Sequence, residues 1–144
     1  MKLQQLSLFL ENKPGALRTP LDALAKAGID LLTVSLADSS QFGVLRLVVR
    51  DPEAAKKVLE GAGMVARVTE VVPVEVDNRP GGLAAVLGPI EQAGLAVEYM
   101  YAFGAASRPG KAAIVFRFDD PDAALKALKA AGVRVLTRED LLGG

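Results

Sequence analysis

The chain has 144 residues and a mass of 15.1 kDa, room for one ordinary domain or two small ones around a real core. With 51% hydrophobic residues and 17 Lys and Arg against 17 Asp and Glu, it reads as globular, with no global field for nucleic acid or an anionic membrane. It has neither Cys nor His, which removes thiolate nucleophiles, disulfides, imidazole acid–base catalysis and Cys/His zinc sites together. The expectation is a non-catalytic protein with no metal and no cofactor.

The N-terminal segment alternates Leu6, Leu8 and Leu10 with polar neighbours, the pattern of a strand and not of a secretory leader. Asn12-Lys13-Pro14-Gly15-Ala16-Leu17 follows, and Leu17, Leu21 and Leu24 then fall at i, i+4 and i+7, a helix stripe that ends at Gly28. Pro20 lies inside that stripe, so Thr19 is expected to cap a helix that starts late. Leu31 to Ala37 and Val44 to Val49 are β-rich and flank the turn residues Asp38 to Gly43, which predicts a hairpin. Asp51-Pro52 supplies an N-cap and a first-turn proline, and Ala55, Val58 and Leu59 form the stripe of a second helix before Gly61. Met64 to Val68 reads as a last strand, with Thr69-Glu70 as a connection.

The same order then repeats. Asn78-Arg79-Pro80-Gly81-Gly82-Leu83 stands 66 positions after the first motif, Val72, Val74 and Val76 follow Leu6, Leu8 and Leu10 at that offset, and Leu87 and Ile90 follow Leu21 and Leu24. By Asp120-Pro121 the offset has grown to 69, which places three extra residues between the second and third strands of the second copy. Pro89 falls in the middle of the repeated first helix, where a kink is expected. Arg138-Glu139-Asp140 reads as a solvated tail, with Thr137 as its candidate cap.

Each copy therefore reads β-α-β-β-α-β, a ferredoxin-like unit. The fold class is α+β: two tandem units, residues 1–70 and 71–144, packed side by side, with an antiparallel sheet and helices on one face. Each second strand is an edge, and joining the two would give one eight-stranded sheet. An uncovered apolar face predicts a homodimer.

The repeated Asn-x-Pro-Gly has two readings. Pro-Gly is the central pair of a type II turn, with Asn beside it for local reasons. Alternatively, a helix N-terminus with close backbone approach at Gly receives a carboxylate, while Asn serves either end of a zwitterion. The second strands differ: Thr33, Ser35 and Ala37 correspond to Tyr99, Tyr101 and Phe103. That aromatic row fits core, an oligomer interface or a ligand pocket.

Set in units of this length, the two motifs closely resemble the ACT domain, and the resemblance covers essentially the whole chain as a tandem pair. It implies a small-molecule sensor, most often for an amino acid, that regulates a metabolic enzyme. It also implies a ligand held where two ACT units meet, near the strand-1/helix-1 loop and the second strand. On that basis the candidate ligand-binding residues are Asn12, Gly15, Ala16, Leu17, Thr33 and Ser35 in the first copy. In the second they are Asn78, Gly81, Gly82, Leu83, Tyr99, Met100 and Tyr101, whose aromatics favour a branched or aromatic ligand. With no catalytic or DNA-binding domain beside the pair, regulation is expected to act in trans through a partner enzyme.

Two neighbouring functions fit less well. An RNA-binding unit of the same topology needs aromatics on its first and third strands above a basic surface, whereas Phe9, Phe116 and Phe118 are split between copies at zero net charge. No stretch of about 18 apolar residues spans a membrane. The expected compartment is the cytoplasm, with neither nucleic acid nor membrane as partner. The remaining alternative to a sensor is an interaction or oligomerisation module that binds no ligand.

Overall fold

A computed structural model of the chain describes residues 2–38, 40–104 and 108–142. It divides into two compact units, Gln4–Thr69 and, for the second, Met1–Leu3 with Glu70–Gly144.

The N-terminal unit runs β1 (Leu3–Glu11), α1 (Arg18–Lys26), β2 (Thr33–Asp38), β3 (Phe42–Val48) and α2 (Pro52–Gly61). β3 lies between β1 and β2 and is antiparallel to both, so Leu8 and Leu36 each stand opposite Leu45, and Leu6 and Val34 each stand opposite Leu47. Alternation sends these residues to one face, where α1 and α2 cover Leu6, Leu8, Leu45 and Leu47 while Val34 and Leu36 on β2 stay half exposed. Leu6, Leu8, Leu24, Leu45, Leu47, Ala55 and Leu59 form the buried core. Ser7, Phe9, Arg46, Thr33 and Ser35 take the opposite face of the same strands.

The C-terminal unit repeats the plan with β4 (Arg67–Asp77), α3 (Gly82–Gln92), β5 (Val97–Phe103), β6 (Lys111–Phe118) and α4 (Pro121–Ala130), then adds α5 (Arg138–Leu142). β6 lies between β4 and β5, with Val72 and Met100 opposite Phe116, and Val74 and Ala102 opposite Ile114. Val72, Val74, Val86, Ile90, Phe116, Phe118, Ala124 and Leu128 fill the helix-side core. The rings of Phe116 and Phe118 stack at 5.3 Å within it, so neither aromatic is displayed on a sheet surface as RNA recognition requires. Asp51 and Asp120 cap α2 and α4 as expected, each accepting at 3.1 Å from the backbone N–H three residues on, with Pro52 and Pro121 in the first turn.

Five expectations are corrected. Among the described residues there are six strands where eight were expected, so the eight-stranded sheet does not form. Of the predicted last strand of the first copy only Arg67 and Val68 are strand, and they run on into the first strand of the second copy as β4, because Thr69-Glu70 carries no turn residue to break it. The last strand of the second copy is a single bridge, Val135 to Val74, flanked by hydrogen bonds from Glu75 N–H to the Arg134 carbonyl and from Leu136 N–H to the Pro73 carbonyl. Thr19 does not cap α1. Its hydroxyl donates back to the Gly15 carbonyl at 3.2 Å, and Pro20 sits in the first turn, where a missing N–H is tolerated. Residues 138–140 are not a loose solvated tail either. Thr137 and Asp140 form a reciprocal cap, Asp140 N–H donating to Thr137 Oγ1 and Thr137 N–H to Asp140 Oδ2, and Leu141 is buried.

Pro89 lies inside α3, which runs through it to Gln92. The inserted residues of the second copy fall in the connection from Gly104 to Gly110, of which 105–107 lie outside the described residues. No helix among the described residues is long and apolar enough to cross a membrane.

Candidate functional site

Both Asn-x-Pro-Gly segments form the same turn. Ala16 N–H donates to the Lys13 carbonyl at 3.2 Å, and Gly82 N–H to the Arg79 carbonyl at 3.0 Å. Gly15 has φ +87° and Gly81 has φ +84° with ψ −6°, the third position of a type II turn with proline at the second. Asn12 does more than shape this turn. Its backbone N–H donates to the Gln41 carbonyl at 2.9 Å and its Nδ2 to the Ser40 carbonyl at 3.0 Å, which pins the β2–β3 connection against the end of β1. In the other unit Asn78 N–H makes the matching bond to the Gly110 carbonyl at 2.9 Å.

This clamp borders a cleft of about 70 Å³ within the N-terminal unit. Leu10, Leu17 and Leu36 form its apolar walls, and Glu11, Asn12, Lys13 and Asp38 its polar rim. Gly43 forms the base because Leu10, Gly43 and Asp38 make one row across β1, β3 and β2, directly above the row Leu8, Leu45 and Leu36. The missing side chain makes room for Leu36, whose Cδ1 lies 3.1 Å from where a Cβ on Gly43 would stand. The rim offers both signs of charge: Lys13 pairs with Glu11 at 3.0 Å with both side chains exposed, and Asp38 adds a second carboxylate to the lining. Such a rim can meet the carboxylate and the ammonium of a zwitterion while the leucines take an apolar group.

The equivalent positions in the C-terminal unit are built differently. Ala112 replaces Gly43, Ala102 replaces Leu36, and Lys111 replaces Phe42. Lys111 binds Asp77, which also accepts from Arg79 at 3.2 Å, and this hydrogen bonding, the Lys111 bond foremost, holds the Asp77 carboxyl below its ordinary value. Gly82 has a steric duty there: a Cβ would lie 1.9 Å from the Asp77 carbonyl oxygen.

Of the residues expected in the first copy, Asn12 and Leu17 line the cleft, Gly15 and Ala16 build the turn beside it, and Thr33 and Ser35 lie on the opposite face of β2. In the second copy Leu83 packs on the helix-side core. Met100 shares that face and is half exposed, while Tyr99 and Tyr101 stand opposite Arg117 and Val115 on the face away from the helices. Phe103 shares their face and is buried. Sequence reasoning missed Leu10, Glu11, Lys13, Leu36, Asp38 and Gly43. The alternation of Leu6, Leu8 and Leu10, carried across the hairpin register, was the signal that would have selected Leu36 over Ser35.

A crystal structure of protein BT0572 from Bacteroides thetaiotaomicron is 38% identical, with a TM-score of 0.89 over 98% of this chain and 96% of that one. The regulatory subunits of aspartate kinase from Thermus thermophilus and Thermus flavus share the fold at 18% and 19% identity, with TM-scores of 0.62 and 0.61 over 90% of this chain and 92% of each of theirs. A search of the curated proteins finds no match. The family model of the ACT domain pair matches residues 1–142, and the chain, with its two Asn-x-Pro-Gly turns at equivalent places, belongs to that family.

Proposed function

We propose that the chain is a non-catalytic regulatory protein that senses a free amino acid and acts in trans on a metabolic enzyme or regulator. The observation that carries this reading is the cleft beside Asn12, with leucine walls and a rim bearing Lys13, Glu11 and Asp38. A ligand of about ten heavy atoms binding there has micromolar to millimolar affinity, the range set by its size. Calorimetric titration with each of the twenty amino acids tests it: heat that saturates with at least one of them is expected, and its absence with all twenty rejects the sensor.

A second reading, an interaction module, is favoured by Phe9, Val34, Leu36, Phe42 and Val65, large apolar residues at least half exposed or nearly so. The two readings are compatible if the chain works as a cytoplasmic homodimer. Light scattering at micromolar concentration then gives twice the chain mass, and a monomeric mass removes the dimer.

A further inference from the structure

We infer that the cleft at Gly43 selects an amino acid with a small branched aliphatic side chain, valine, leucine or isoleucine, and that Gly43 and Leu36 set that specificity. This rests on the sensor reading above and adds the class of ligand. Three features point to the same occupant. The first is size: an apolar cavity of about 150 Å³ holds a benzene ring, so a cleft of about 70 Å³ encloses three or four carbon atoms.

The second is chemistry. Leu10, Leu17 and Leu36 supply the apolar part of the lining, and Glu11, Asn12, Lys13 and Asp38, all exposed, the polar part. A serine or aspartate side chain placed among the leucines would lose its water without replacement. A ligand with its charges at the rim and an aliphatic group inside loses nothing of this kind.

The third is how the space is made. Gly43 has no positive φ, so the residue is not required by its backbone, and a Cβ built there would come within 3.1 Å of Leu36 Cδ1. Glycine at this position therefore gives Leu36 the room to stand as a wall of the cleft. Its equivalent in the C-terminal unit, Ala112, fills the same point of the row, and there Ala102 needs no room where Leu36 does.

Calorimetry on the full chain and two variants tests the inference. The parent is expected to bind valine, leucine or isoleucine at least about ten-fold more tightly than serine, aspartate or tryptophan, the discrimination that one or two methylenes supply in an apolar pocket. Gly43→Ala, whose methyl meets only the far end of a leucine, is expected to weaken that binding about ten-fold or more. Leu36→Ala removes a wall that is 50% exposed, and is expected to shift the preference toward methionine or phenylalanine; it decides the matter should Gly43→Ala fail to fold. Tightest binding of a polar amino acid, or an unchanged order of preference in the folded variants, overturns this inference and leaves the sensor standing. No binding of any amino acid by the parent removes both.

Discussion

Position 82 has no space for a side chain. A Cβ there would overlap the Asp77 carbonyl oxygen, a backbone atom that cannot rotate away, so Gly82→Ala must displace the start of α3 from the end of β4. Such overpacking costs about 1–3 kcal/mol. Gly15 differs: its φ of +87° disfavours a side chain but nothing lies within 4 Å of the added atom, so Gly15→Ala should cost about 1 kcal/mol from backbone strain alone. Urea denaturation of both variants is expected to show Gly82→Ala as the more destabilised. Glu75 gives a residue-scale prediction in pH. Its side chain is 7% exposed and accepts from Arg108 Nε at 3.0 Å and Arg134 Nη1 at 2.8 Å, and these bonds, Arg108 first, hold its carboxyl below the ordinary 4.5. A depressed folded pKa stabilises the fold above the unfolded value and loses that contribution as pH falls through the folded one. Because both arginines are substantially exposed, Glu75→Gln should cost about 1–2 kcal/mol at neutral pH. The gap between parent and variant should close as pH drops below about 4.5. A gap that stays constant from pH 7 to pH 3 would show that the carboxylate contributes nothing through its charge.

Proline acts with opposite sign in the two equivalent helices. In α3, Pro89 takes away the N–H that would reach the Ala85 carbonyl in the helix interior, where the loss is large. Pro89→Ala is expected to raise stability by about 1–2 kcal/mol, after allowing for the greater freedom of the unfolded chain. Pro20 stands in the first turn of α1 and is buried, so Pro20→Ala surrenders packing for little gain and should lower stability by about 1 kcal/mol. Thermal melts of the pair moving the same way would reject this account. The helices α1 to α4 and the strands around the hairpins were legible because they rest on local signals: the leucine stripes, the Asp-Pro caps and the Pro-Gly turns all lie where the spacing puts them. What the sequence concealed was set by contacts distant along the chain. Whether residues 64–70 end one strand or lead into the next depends on pairing, and the side of β2 that faces the helices depends on a hairpin register that single-residue shifts invert. Ser35 and Tyr101 carried chemical interest and Leu36 did not, yet Leu36 borders the cleft. At the C-terminus, Thr137 was visible as a cap, whereas the burial of Leu141 was not.

The molecule is a repeat whose copies have kept their turns and parted at the positions beside them. Asn12 and Asn78, Pro14 and Pro80, and Gly15 and Gly81 match, and the backbone bonds they make match as well. Around them Gly43, Leu36 and Phe42 have become Ala112, Ala102 and Lys111, and the Lys111 ammonium is bound to Asp77. A shared turn would give two ligand sites per chain if the turn itself were the site. If the Leu36 wall seated over Gly43 is what shapes the site, the C-terminal unit, with Ala102 and Ala112 there, lacks the feature and the chain binds one. Calorimetric stoichiometry is therefore expected to be one amino acid per chain, unchanged by Asn78→Asp and reduced in affinity by Asn12→Asp. The latter replaces the Nδ2 donor to the Ser40 carbonyl by a negative oxygen at a rim that must receive a carboxylate. That loss corresponds to about 1.5–3 kcal/mol, ten- to a hundred-fold in affinity. Two equal sites per chain, or equal sensitivity to both substitutions, would mean that the turns and not the cleft recognise the ligand.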